Sequence, residues 1–254
     1  MIIKKFSLLI VYFIVILISE LLIKFQFYIY SSILLTLLIL TYSIILIKNK
    51  YQKKLNLQEF LSLKQFFTSL LILPVIILIQ LIFPFKDYFY NLYMIYGILG
   101  ITTSLYIINS RIPFSNIFHN FKKYKYIILG FPLILIISYL NFKYISYTIF
   151  TLDLYSVILL ALISFTTILY FYGIIQNMMH KSFTSRTTML FTTLILTILS
   201  LQSTYLVIMS TFLTSLVLSF IYSRSKNLYM ILILYIILSI LQYVVFPIYL
   251  KTIA

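Results

Sequence analysis

Long apolar runs, separated by short polar segments, recur along the whole chain and limit its fold more than any other feature. Each run is close to the length of about 20 residues that a helix needs to cross the hydrocarbon core of a bilayer. Because that core offers no hydrogen-bond partners to the backbone, the runs are expected to be helices. We predict eight to nine membrane spans, and place nine at residues 6–23, 28–47, 67–83, 91–108, 126–142, 152–175, 187–201, 204–222 and 228–249.

The composition excludes a soluble fold. Only 9% of the residues are charged and the mean hydropathy is +1.12, whereas soluble domains carry about 25% charged residues. We therefore predict an all-α, polytopic helical bundle. It forms a single integral membrane domain, 1–254, with N-terminal helices in 1–109 and a second group of helices in 110–254. The absence of cysteine excludes disulfides and thiol catalysis.

The distribution of positive charge predicts the orientation of the chain. With nine spans and a cytoplasmic N-terminus, 15 of the 19 Lys and Arg residues lie inside and 4 lie outside. The positive-inside rule predicts such a bias, and shifting the count by one span removes it. The net charge of +15 therefore indicates topology and attraction to the lipid bilayer rather than binding to nucleic acid. Frequent Ile, Tyr, Phe and Lys, with little Gly or Trp, indicate the cell membrane of a low-GC bacterium.

Ionisable residues in membrane spans are costly and often functional. Glu20 lies toward the outer end of the first span. It is interpreted either as a contact for a proton, an ion or a peptide, or as an interfacial residue beside Lys24. The interfacial interpretation is favoured, and more strongly for Asp153 at the outer start of the sixth span.

The seventh and eighth spans are rich in hydroxyl groups. Thr211, Ser215 and Ser219 recur at steps of four residues, a pattern of small residues that lets two helices approach closely. The favoured interpretation is a packing seam. The alternative is a polar groove that holds a peptide segment, formed by Thr193, Thr197, Thr211, Ser215, Ser219 and Gln176.

Two short motifs in the second half of the chain resemble a known family. They are Phe171-Tyr172-Gly173 and the turn Ile221-Tyr222-Ser223-Arg224-Ser225-Lys226-Asn227-Leu228, and a polar segment leading into a glycine-containing span at 112–140 precedes them. Together they resemble the CPBP family of intramembrane proteases, which includes CAAX prenyl endopeptidases and bacteriocin-processing and self-immunity proteins. The resemblance covers residues 110–254 and implies a CPBP-like helical core there.

Other residues stand at the positions where the family has its active-site residues. The two family glutamates fall at Thr167 and Ile168, and the arginine falls at Tyr172. The first histidine falls at Ser200, and the second histidine and an asparagine fall at Tyr235 and Ser239. Family members are understood to activate water through a metal, and hydroxyl groups cannot replace the carboxylate and imidazole ligands. The resemblance thus implies a pseudoenzyme with no catalytic residue, metal or cofactor.

The remaining acids and histidines do not supply a replacement site. Glu59, His119 and His180 are all assigned to the cytoplasmic side, where a surface metal site is disfavoured because such residues are usually solvated. No zinc-protease, phosphate-loop or serine-hydrolase motif is present in the sequence.

These observations predict a non-catalytic CPBP-like membrane protein. It would bind a hydrophobic peptide, a lipid-linked substrate or another membrane protein, in bacteriocin self-immunity or in cell-envelope regulation. One alternative is the membrane subunit of a peptide or lantibiotic ABC-type exporter, with a coupling helix at 55–67 or 116–126 that docks an ATPase. A second alternative is an active intramembrane endopeptidase with atypical residues.

Overall fold

The computed structural model describes residues 2–51, 70–79, 81, 98–101, 103, 125–144, 154–180, 183–201 and 205–241. These residues form helices and short connections and contain no strand, which confirms the prediction of an all-α chain for this part of the sequence. The chain divides into two compact units. Unit 1 comprises Met1–Ser110 and Asn177–Phe183, and unit 2 comprises Arg111–Gln176 and Thr184–Ala254.

Unit 1 contains a helical hairpin of α1 (Ile2–Lys24) and α2 (Tyr28–Tyr51). Gln26 makes the tight turn between them with a φ of 64°. Buried residues on each helix recur every three or four positions, so one face of each helix meets the other. The Tyr42 hydroxyl donates to the Leu8 carbonyl across the hairpin. The Tyr12 hydroxyl donates to the Leu70 carbonyl of α3 (Leu70–Ile79) over 2.9 Å.

Unit 2 is built around a central helix that changes its pitch. This helix starts as α5 (Leu154–Thr167) and continues as a π-helix (Ile168–Gln176). The short helix α6 (Asn177–His180) follows in the sequence and is part of unit 1. All nine π-helical residues are buried, as expected for a helix that is apolar on every side. Helices α7 (Ser185–Leu199), α8 (Tyr205–Ser225) and α9 (Leu228–Ile240) pack against this π-helix. Helix α4 (Lys125–Tyr144) packs against α8 and α9.

Local hydrogen bonds fix where the helices of unit 2 begin. The Thr184 side chain caps α7 by accepting from the Thr187 backbone N–H. The Asn227 side chain caps α9 by accepting from the N–H groups of Tyr229 and Met230 at 2.9 and 3.4 Å. Lys226 takes a positive φ of 54° in the turn between α8 and α9. Each cap satisfies backbone donors that the helix itself leaves open.

Many small polar side chains are buried within the helix packing, and many large apolar side chains are exposed. On α8, Thr214, Ser215 and Ser219 are buried, whereas Met209 and Leu213 are exposed. Soluble proteins show the opposite tendency. Within the described residues, four helices are long and apolar enough to cross a membrane: Ser7–Lys24, Tyr28–Ile45, Leu160–His180 and Tyr205–Ser225. This pattern indicates a membrane protein.

Candidate functional site

A partly open cleft lies in unit 2, where the central helix meets α7, α8 and α9. It leaves about 120 Å³ of space for the centres of water-sized molecules. A single water needs roughly 10–15 Å³ by this measure, so the cleft accommodates several waters or one small part of a larger ligand that extends out through its open side. Its lining combines hydroxyl-bearing and aliphatic side chains: Thr167, Tyr172, Leu196, Val207, Ser210, Thr211, Thr214, Ser215, Leu218, Tyr235 and Leu238.

The hydroxyl groups of α8 present oxygen acceptors to the cleft. The Thr211 hydroxyl donates to the Val207 carbonyl at 2.9 Å. The Ser215 hydroxyl donates to the carbonyls of Thr211 and Phe212 at 2.6 and 3.1 Å. Such bonds to the preceding turn occupy the hydroxyl proton. Because a hydroxyl oxygen has two acceptor lone pairs, both side chains remain able to accept a hydrogen bond.

Thr167 differs from Ser164 and Thr166 of the same helix in its hydrogen bonding. Ser164 and Thr166 donate to the carbonyls of Leu160 and Leu162, four residues earlier. Thr167 is 4% exposed and its Oγ1 has no hydrogen-bond partner among the described residues. It is the last residue of α5, where the π-helical stretch begins. π-Helical segments are rare and often coincide with functional sites.

Tyr172 and Tyr235 supply the aromatic part of the lining. Tyr172 lies on the π-helix. Its ring packs edge-on against Tyr222 at a centroid distance of 6.3 Å. Tyr172 thus joins the lining of the cleft to the buried Tyr222 of α8.

The six positions derived from the family resemblance are partly brought together. Thr167, Tyr172 and Tyr235 line the cleft. Ile168, which follows Thr167 in the sequence, is buried but is not part of the lining. The Ser239 hydroxyl instead lies 3.4 Å from that of Ser164. Ser200 lies at the C-terminal end of α7, outside the lining, where its hydroxyl donates to the Thr197 carbonyl.

The six residues of the sequence-derived polar groove also separate. Thr211 and Ser215 line the cleft. Thr193 and Thr197 lie on α7 outside the lining and donate to carbonyls of their own helix. Gln176 donates from Nε2 to the Ser219 carbonyl at 2.9 Å, so these two residues form a separate buried contact.

Sequence reasoning missed Ser210 and Thr214, which line the cleft next to Thr211 and Ser215. Residues that recur every four positions cover only a narrow strip of a helix surface. The surface that lines the cleft is wider and contains two adjacent hydroxyl residues in each of two successive turns, at 210–211 and 214–215.

Within the part of the chain that the structure describes, the lining of the cleft contains no carboxylate, imidazole, thiol or basic side chain. Metal binding relies on such groups, and general acid–base catalysis relies on them or on tyrosine, which the lining does contain. Among the described residues, no group of three His, Cys, Asp or Glu side chains is close enough to hold a metal ion. The arrangement can therefore bind a neutral molecule by hydrogen bonds and apolar contact.

Glu20 lies in unit 1 and is 2% exposed, whereas Lys24 is exposed. Ser19, the residue before it, is also fully buried. This burial does not decide between an interfacial residue beside Lys24 and a contact for a proton, an ion or a peptide, so both interpretations stay predictions.

Several predictions fall on residues outside the described ranges. They include both segments considered as exporter coupling helices, 55–67 and 116–126, and the acids and histidine at Glu59, Asp153 and His119. The nine-span count and the cytoplasmic N-terminus also stay predictions, because the spans at 67–83 and 91–108 are described only in part.

Comparisons with protein-family models, with curated proteins and with solved structures found no match to this chain. The relation to the CPBP family therefore stays a prediction that rests on the sequence motifs.

Proposed function

We propose that this chain is a multi-pass protein of a bacterial cell membrane that binds an uncharged, largely apolar ligand in the cleft of unit 2. It acts by binding and not by catalysis. In this proposal the chain crosses the membrane nine times and its N-terminus is cytoplasmic, as the charge distribution predicts.

The observation that carries the proposal is the combination of hydroxyl and aliphatic groups in one cleft between apolar helices. Leaving polar groups buried without partners is unfavourable. A ligand that offers both hydrogen bonds and an apolar surface satisfies the hydroxyls while covering Leu196, Val207 and Leu218. A charged ligand does not fit, because the lining supplies no opposite charge.

The physiological setting follows from the CPBP resemblance. Bacteriocin self-immunity and cell-envelope regulation both involve binding of peptides, lipid-linked molecules or membrane proteins. Support comes from Thr167, Tyr172 and Tyr235, which stand at positions where the family has active-site residues and which line the same cleft. In this proposal the chain keeps the family's binding cavity and lacks its catalytic groups.

The absence of cysteine makes a clean accessibility test feasible, because any introduced thiol is unique. Ser210→Cys places a thiol in the cleft, and Met209→Cys places one on the outer face of the same helix, where Met209 is 44% exposed. Both proteins are reconstituted in lipid nanodiscs and treated with methyl methanethiosulfonate. Thiolate is the reactive form and needs a polar environment, so the thiol at 210 should react at least about tenfold faster.

The second half of the test adds the neutral tripeptide N-acetyl-Leu-Leu-Leu-N-methylamide. Binding in the cleft should slow the reaction at position 210. Equal reaction rates at the two positions would show that the cleft is closed. A fast reaction at 210 that saturating tripeptide leaves unchanged would show that the cleft does not take such ligands. Either result contradicts the proposed function.

A further inference from the structure

We infer that the ligand is recognised through an amide group, in which the carbonyl accepts from Thr167 and the N–H donates to Thr211 or to Ser215. This inference rests on the proposed function and specifies its ligand class as a peptide or another secondary amide.

The acceptor side of the site is formed by α8. The hydroxyl protons of Thr211 and Ser215 are used by carbonyls of their own helix, at 2.9 Å for Thr211 and 2.6 Å for Ser215. Their oxygens keep free lone pairs. These two oxygens therefore bind a ligand that donates a hydrogen bond, while Ser210 and Thr214 on the same wall can donate one as well. The ester groups of phospholipids cannot donate to the Thr211 and Ser215 oxygens, because they contain only acceptors.

The donor side of the site is formed by Thr167 at the end of α5. Its hydroxyl has no partner among the described residues and can both donate and accept. Because it is 4% exposed, leaving it unpaired is costly. Because Oγ1 itself is buried, a ligand carbonyl in the cleft accepts its proton when the Thr167 side chain rotates toward the ligand, and this supplies the missing hydrogen bond.

The donor and the acceptors belong to different helices that line the same cleft. In a trans amide the C=O and N–H bonds point in opposite directions on one planar unit. An amide can therefore bridge the two helices, while its flanking side chains contact Leu196 and Val207. The amide must lack an internal hydrogen bond, so the bound segment is extended or lies at a chain end and is not the middle of a helix.

Two probes that differ only in their N–H groups test this inference on the Ser210→Cys protein. The first is the tripeptide used above, and the second is its depsipeptide analogue, in which an ester oxygen replaces each of the four N–H groups. Protection of the thiol gives the affinity of each probe. One net hydrogen bond contributes about 0.5–1.5 kcal/mol, so the amide should bind roughly 2- to 12-fold more tightly than the ester.

Side-chain variants test the acceptor side of the site on α8 and the donor side at Thr167 separately. In the combined variant Thr211→Val and Ser215→Ala, the preference for the amide over the ester should fall to about onefold, because the acceptors are gone. In Thr167→Val both probes should weaken while the amide preference persists, since both keep a carbonyl. Thr193→Val is the matched control, because Thr193 is a buried threonine outside the lining.

The outcomes separate this inference from the proposed function. Equal protection by the amide and the ester in the Ser210→Cys protein overturns amide recognition and leaves a binding cleft in place. Protection by neither probe overturns both. The comparison of the two probes needs no variant beyond the cysteine, so poor folding of the threonine variants cannot obscure it.

Discussion

Gly130 provides a quantitative test of the helix packing in unit 2. It lies in α4, and a Cβ atom built on it would overlap Cδ1 of Ile221 on α8 and would touch Cδ1 of Leu234 on α9 at 3.4 Å. Ile221 is itself buried, so its side chain has little room to move. Gly130→Ala gains about 1 kcal/mol in helix propensity and loses roughly 1–3 kcal/mol through overpacking. We expect a net destabilisation of about 0–2 kcal/mol.

Ile221→Val removes the atom that the new methyl group would overlap. Alone it should cost roughly 0.5–1.5 kcal/mol. Combined with Gly130→Ala, the new methyl occupies the vacated space, so the double variant should be more stable than the sum of the two changes by about 1–3 kcal/mol. Gly173→Ala is the matched control, because its nearest contact is Leu228 Cδ2 at 3.3 Å, and neighbours at that distance need to move only slightly.

The four proteins of this cycle can be compared by reversible unfolding in mixed micelles with increasing SDS, followed by circular dichroism. The double variant should unfold at a higher SDS fraction than Gly130→Ala alone. Strict additivity of the two changes would refute the close approach of α4 and α8 described here.

Three further changes test local contacts, each measured by the thermal stability of the detergent-solubilised protein. Tyr12→Phe removes the hydrogen bond to the Leu70 carbonyl and should cost about 1–3 kcal/mol, while Tyr30→Phe, at a 63% exposed position, should cost almost nothing. Asn227→Ala removes the N-cap of α9 and should cost about 0.5–2 kcal/mol, whereas Asn227→Ser should retain most of the stability. Lys226→Gly should stabilise by up to about 1 kcal/mol, because glycine adopts the positive φ without strain. Unchanged stability in Tyr12→Phe or in Asn227→Ala, or a loss in Lys226→Gly, would contradict the corresponding contact.

The helical class and the approximate positions of several helices could be predicted from the sequence, because the apolar runs have membrane-spanning length. The predicted span at 204–222 corresponds to α8, Tyr205–Ser225, with an end that differs by three residues. The end extends because Ser225 and Lys226 form a turn in which the Lys226 N–H donates to the Tyr222 carbonyl at 2.8 Å. Turn geometry of this kind is a local effect that hydropathy does not report.

The π-helix could not be predicted, since the stretch Ile168–Gln176 is apolar except for Gln176 and has the composition of an ordinary buried helix. The π-helix contacts α7, α8 and α9, and contacts between helices are not visible in the local sequence. The hydroxyl stripe of α8 was recognised, and the packing and groove interpretations could not be separated. Thr211 and Ser215 border the cleft, whereas Ser219 contacts Gln176. One part of the stripe therefore lines a groove and another part packs against a neighbouring helix.

The family motifs also predicted the residues of the site only in part. Their spacing selected Thr167, Tyr172 and Tyr235, which the fold brings to one cleft, together with Ser200, which it does not. Ser200 follows the last turn of α7, and there its hydroxyl bonds to Thr197 of the same helix. A position chosen by spacing alone carries no information on where a helix ends.

Photo-crosslinking of a bound peptide is the most direct test of a ligand cleft in unit 2. The probe is N-acetyl-Leu-photoleucine-Leu-N-methylamide, added to the protein in lipid nanodiscs, irradiated, and mapped by tandem mass spectrometry. We expect saturable crosslinks to the apolar lining residues Leu196, Val207 or Leu218. Crosslinks confined to the outward-facing Met209 and Leu213, growing in proportion to probe concentration, would contradict the proposed function.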